Sequence, residues 1–213
     1  IQSVDELKDT INSVIASDQE NADELRGRAS SAIKEAYDQT TDAYAFLREV
    51  VTNAYEAFRD KPPLDGITPV YQLRSWIDEV NNKFVLSMRD EGVGMNLQTI
   101  ISVLLQPSVS GWLNSDLLHF GQGFYTLFRG AEEVRIRTTK DEVTTLIRLI
   151  PVKDKGTLLD LTMEVTQESA GGAKSGTAIE WVTSAEDPTL LSSQIWAQLG
   201  HYAGFFDPAK MKL

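Results

Sequence analysis

The chain of 213 residues has no cysteine, which removes disulfides, thiol nucleophiles and cysteine-based zinc sites and fits a reducing, cytoplasmic location. It has only two histidines, His119 and His201, too far apart in sequence to suggest a histidine-rich metal site. No run of about 18 apolar residues occurs, and no basic-then-apolar leader, so neither a membrane span nor a signal peptide is expected. Positive charge is also short: 20 Lys and Arg stand against 31 Asp and Glu, a net charge of -11. Such a surface is poorly suited to nucleic acid or anionic lipid, which lean on Lys and Arg clusters. An anionic ligand would need local donors or a metal. What is present is ordinary for one globular domain, 42% hydrophobic and 24% charged. Because the chain starts at Ile1 rather than Met, a piece of something longer is expected.

Three amphipathic helices open the chain. Val4, Leu7, Ile11, Val14 and Ile15 recur at helical spacing, then Leu25, Ala29, Ile33 and Tyr37, then the segment from Tyr44 to about Arg59. Lys61-Pro62-Pro63 ends the third, since the residue before proline resists the helical region. "VYQLRSWI" and "KFVLSMRD" alternate as strands around Asp78–Asn82 and read as a hairpin. Leu97 to Leu105 reads as a helix, and so does the aromatic run from Phe124. "EVRIRTT", "VTTLIRLI" and "TLLDLTMEV" read as an antiparallel meander, "GTAIEWV" as a fourth strand, and Thr189 to Ala203 as a closing helix with Leu191, Ile195, Leu199 and Tyr202 on one side. Helices segregated beside a largely antiparallel sheet make an α+β two-layer sandwich.

Four short elements could carry chemistry. Glu49, Asn53 and Glu56 lie at i, i+4 and i+7 of the third helix, beside an apolar stripe of Phe46, Val50, Ala54 and Ala57. Three polar residues so placed are ordinarily a solvated face. Asp90 ends an apolar strand and is followed by Glu91-Gly92-Val93-Gly94-Met95, where two glycines permit positive φ and close approach of a ligand, although a D-x-G-x-G is most often a plain turn. Gly121-Gln122-Gly123 precedes the Phe124 helix, so its N–H groups would form either an anion site or a bare glycine hinge. Gly176-Thr177 opens a strand, a small residue followed by a hydroxyl.

In this order and spacing the four resemble the GHKL nucleotide-binding superfamily of gyrase, heat-shock chaperones and histidine kinases. "FLREVVTNAYEA" and "FGQGFYTLF" are most similar to the N-terminal ATP-binding domain of the ninety-kilodalton heat-shock (Hsp90-like) chaperones. The resemblance covers about residues 21–206; residues 1–20 would be an extra N-terminal helix and 207–213 the start of a linker to a downstream region.

The resemblance implies a Mg²⁺-dependent module that binds ATP and ADP and hydrolyses ATP, its nucleotide state driving lid closure. Asp90 would accept a hydrogen bond from the adenine amine. Asn53 would hold Mg²⁺ with the phosphates, and Glu49 would orient and deprotonate the attacking water. Glu56 would line the pocket side of the helix. Gly94 and Met95 would form the adenine floor, Gly92 would belong to the same nucleotide-binding loop, Thr177 would join the water network around Asp90, and Gly121, Gln122, Gly123 and Phe124 would give backbone donors to the phosphates. Mg²⁺ and backbone amides would then offset the acidic net charge. The resembling families carry an asparagine and later a lysine where Val103 and Val109 stand here, and His119 replaces a common glutamine. Their sites are completed by a basic residue of a following domain and by dimerisation, so a downstream domain and a possible homodimer are implied partners and little turnover is expected from this stretch. A histidine-kinase catalytic domain and a nucleotide-binding interaction module without catalysis are the alternative readings.

Overall fold

The computed structural model describes residues 44–59, 70–100, 123–154 and 157–203. The two leading helices, the Leu97–Leu105 segment beyond residue 100, the lid with His119, Gly121 and Gln122, and the terminal linker lie outside the described residues, as do Val103 and Val109.

The described elements are helix α1 (Ala45–Arg59), strands β1 (Gln72–Asp78) and β2 (Lys83–Asp90), a single helical turn α2 (Leu97–Thr99), a 3₁₀ helix (Gly123–Phe128), strands β3 (Glu133–Lys140), β4 (Val143–Asp154), β5 (Thr157–Ser169) and β6 (Gly176–Thr183), and helix α3 (Pro188–Ala203). The six strands form one antiparallel sheet in the order β1-β2-β6-β3-β4-β5. The α+β architecture expected from helices segregated beside a largely antiparallel sheet is present. Strand β6 does not extend the β3–β5 meander at its edge; it inserts between β2 and β3.

Local chemistry explains the joints. The Asp78 carboxylate accepts from the Val80 and Asn81 amides at 3.1 and 3.3 Å, and Asn82 takes φ 50°, closing the β1–β2 turn. Asp141 and Glu142 both adopt positive φ, the geometry that matches a two-residue hairpin to strand twist. Asp187 accepts from the Leu190 amide at 2.9 Å and caps α3, with Pro188 in its first turn.

The helices cover one face of the sheet. Phe46 of α1 stacks on Trp181 of β6 with ring centroids 5.0 Å apart, and the Trp181 indole N–H donates to the Leu127 carbonyl at 3.0 Å, so one side chain ties α1, the 3₁₀ helix and the sheet together. Tyr44 donates to Gln194 at 2.7 Å and links the start of α1 to α3. The aromatic run, read as a helix in the sequence, forms a six-residue 3₁₀ helix with Phe124, Tyr125, Leu127 and Phe128 all buried. Four buried side chains in six positions exceed what one α-helical stripe presents to a core, and the tighter helix turns them all inward within two turns.

Candidate functional site

Strand alternation puts every second residue of the sheet toward the helices, and the register aligns these into rungs. One rung runs Leu86, Trp181, Val134, Leu149 and the next Met88, Ile179, Ile136, Ile147, Val165, both apolar. The rung after them is polar throughout: Asp90, Thr177, Thr138, Thr145 and Gln167 lie side by side across five strands. A polar rung on the covered face of a sheet must satisfy itself, because a buried donor or acceptor without a partner costs about 1–3 kcal/mol.

Asp90, 8% exposed, does so with backbone amides. Its Oδ1 accepts from Gly92 at 2.8 Å and from Thr177 at 3.2 Å. Thr138, fully buried, accepts from the Met95 amide at 2.8 Å, lies 3.2 Å from the Thr177 hydroxyl and 3.3 Å from the Gly176 carbonyl. Gln167 donates to Thr145 at 3.1 Å. The loop 91–95 is therefore fastened at its start through Asp90 to β6 and at its end through Met95 to β3.

Two glycines let the loop lie on those strands. Gly94 has φ +66°, and a Cβ there would stand 2.0 Å from the Thr139 carbonyl oxygen. Gly176 has φ +148°, and a Cβ would stand 2.3 Å from the Asp90 carbonyl oxygen. The sequence suggested positive φ at both glycines of D-x-G-x-G; Gly94 adopts it and Gly92 does not, its role being the amide it gives to Asp90. The close approach permitted at Gly176 is to the Asp90 backbone.

A second juxtaposition lies in the helix layer. Glu49 of α1 packs against Gly123, where a Cβ would meet the carboxylate Oε2 at 1.9 Å. A larger residue at position 123 would have to displace the Glu49 side chain. Glu49 also pairs with the neighbouring Arg48, whose two nitrogens approach Oε1 at 2.7 and 3.1 Å. Asn53, half-buried, follows one turn later on α1. Glu56 belongs to the same helix, its side chain outside the described part, as Gly121 and Gln122 are. Phe124 packs edge-on against Tyr125 and Phe128, at 5.7 and 5.5 Å.

Of the residues singled out in the sequence, Asp90, Gly92, Gly94, Met95 and Thr177 meet in one cluster, and Glu49 meets Gly123. Sequence reasoning missed Thr138, which reads as an ordinary strand threonine until β6 is known to lie beside β3. It also missed Tyr71, buried next to the site, whose phenol is pushed well above its ordinary range by burial and then by the Asp90 charge. No group of three or more His, Cys, Asp or Glu that could hold a metal occurs among the described residues. Asn53 fits a Mg²⁺ site only as one hard oxygen donor among ligands that a nucleotide would supply. No helix among the described residues is long and apolar enough to cross a membrane.

No protein-family model matches the chain, and no curated protein sequence matches it.

Proposed function

We propose that the chain is an ATP-binding and ATP-hydrolysing module of the GHKL type, closest in organisation to the Hsp90-like chaperones and acting within a cytoplasmic ATPase. The observation that carries the reading is the Asp90 carboxylate: buried, fixed by two backbone amides, and set at the rim of a glycine loop that lies flat on the sheet. A carboxylate held this way is a preorganised acceptor, and the adenine exocyclic amine is the donor it would read. Met95 and Gly94 would face the base, and Thr177 would extend the acceptor site. Gly123 and Phe124, with Gly121 and Gln122, would offer backbone donors toward the phosphates.

Mg²⁺, when bound with the nucleotide, would screen the phosphate charge, with Asn53 as its ligand from the protein. Glu49 would take the proton of the attacking water, and its contact with Gly123 keeps it beside the segment that would carry the phosphates. The ion pair with Arg48 must loosen for the carboxylate to reach water. Closure of the lid, a downstream domain and a second copy would complete the site.

Calorimetric titration of Mg-ATP and Mg-ADP tests the reading. Asp90→Asn keeps an oxygen for the Gly92 and Thr177 amides but turns an NH₂ toward the base, so affinity is expected to fall at least about 100-fold with the fold intact. Equal binding by the mutant, or none by the wild-type chain, would sink it. Hydrolysis abolished by Glu49→Ala with binding retained would separate an ATPase from an interaction module; phosphate passed to a histidine would support the kinase alternative.

A further inference from the structure

The Thr138 hydroxyl accounts for more of the candidate pocket than its place in mid-sheet suggests. One proton and two lone pairs are all it has. The Met95 amide takes one lone pair at 2.8 Å, leaving the other and the proton for the Gly176 carbonyl at 3.3 Å and the Thr177 hydroxyl at 3.2 Å. Every contact it makes is to a residue at the rim: the last of the loop, and the two that open β6. No other described hydrogen bond reaches the Met95 end of the loop, whereas the Asp90 end is held by two.

Geometry makes that single bond consequential. Gly94 sits in the left-handed region with the Thr139 carbonyl where a Cβ would stand, and in this conformation the following N–H, that of Met95, is aimed at Thr138. Remove the acceptor and the N–H is left without a partner, so the loop gains by lifting toward water. The same change frees the Thr177 hydroxyl to rotate, while the Thr177 amide still holds Asp90.

We infer that Thr138 is a positioning residue of the nucleotide pocket, its hydroxyl holding Met95 and the Thr177 side chain in the arrangement that receives the base. The inference rests on the ATP reading for its ligand but not for its mechanism, and the test separates the two. Thr138→Val keeps shape and β-branching and removes only the hydroxyl; Thr138→Ser keeps the hydroxyl. Amide hydrogen exchange of the ligand-free chain is expected to show Met95 exchanging at least about tenfold faster in Thr138→Val and near the wild-type rate in Thr138→Ser. Mg-ADP affinity is expected to fall about tenfold in the valine variant and to return in the serine variant, with the Gly92 amide protected throughout.

A valine variant with wild-type exchange at Met95 and wild-type affinity overturns the inference. So does a serine variant that behaves like the valine one, since the methyl group would then be what matters. Absence of nucleotide binding by the wild-type chain is a different failure: it overturns the ATP reading, while faster exchange at Met95 in Thr138→Val would still support the hold on the loop.

Discussion

The same strands carry two polar networks on opposite faces, and the two obey different rules. Toward the helices, Asp90 and Thr138 are buried, Thr177 between them is half-buried, and the three are bonded largely to backbone. On the open face Glu180, Arg135, Arg148 and Glu164 form a rung of exposed or half-exposed charges. There Arg135 and Arg148 are directly cross-strand, an unfavourable pairing of like charges, and Glu133 accepts from both at 2.7 Å. Glu180 and Glu164 pair with the outer sides of the two arginines at 3.4 and 3.3 Å. Redundancy and solvent make the outer ladder tolerant. Burial of Asp90 and Thr138, and partners fixed in the backbone, make the inner rung exacting.

If that contrast is right, the inner rung breaks at its backbone first. Gly94→Ala should be the most damaging single change considered, because the new Cβ would overlap a carbonyl oxygen that belongs to the sheet and cannot swing away. Left-handed strain and overpacking together should cost about 3 kcal/mol, read as a shift of the thermal or denaturant midpoint. A Gly94→Ala chain as stable as wild type would mean the loop does not lie on β3 as described. The same substitution at Gly171 or Gly172, where a Cβ meets nothing within 4 Å, should be milder and carry only the backbone term.

The contrast sharpens within the covered layer itself. Thr138 and Thr177 have partners for their hydroxyls, whereas the hydroxyl of Tyr125 is buried without one among the described residues. Burial pushes that phenol far above its ordinary range, so it is a neutral group at any working pH and offers no charge in return for its desolvation. Tyr125→Phe keeps the ring packed against Phe124 and Phe128 and should raise stability by about 1 kcal/mol. Chemical denaturation of the two chains checks it. A loss of stability would reveal a partner for the hydroxyl and place Tyr125 among the satisfied groups.

Legibility in the sequence followed the range of the interactions. Strand β2 and helix α3 were readable almost to the residue, because alternation, an Asp cap and a helical apolar stripe are local signals. Asp90, Gly94 and Thr177 were readable as candidates because a turn motif and a strand start are local too. Their meeting was not, since it depends on β6 crossing to lie between β2 and β3. Thr138 was invisible for that reason: its hydroxyl bonds to residues 43, 39 and 38 positions away in sequence. The Phe124 segment was readable as a helix because its composition announces burial, but composition alone does not say how tightly the backbone must wind to achieve it. Gly123 was read as part of an anion site or a hinge, and the side chain that packs against it, Glu49, lies in an element far upstream.

The smallest effect tests the outer network. Burial works against ionisation of Glu133, but hydrogen bonds from Arg148 and Arg135 and their charges outweigh it and hold the carboxyl below its ordinary range. A carboxylate whose folded value is depressed stabilises the protein above the unfolded-chain value and loses that contribution as pH falls through the folded value. Glu133→Gln removes the charge but keeps an acceptor, so at neutral pH it should cost less than about 1 kcal/mol, and the cost should shrink with added salt. The stability difference between the two chains should then close as pH drops below the carboxylate range, because wild-type Glu133 is itself protonated there. A difference that stays constant with pH and salt would mean Glu133 acts by packing between the two strands, and that the open face is held by shape in the manner of the covered one.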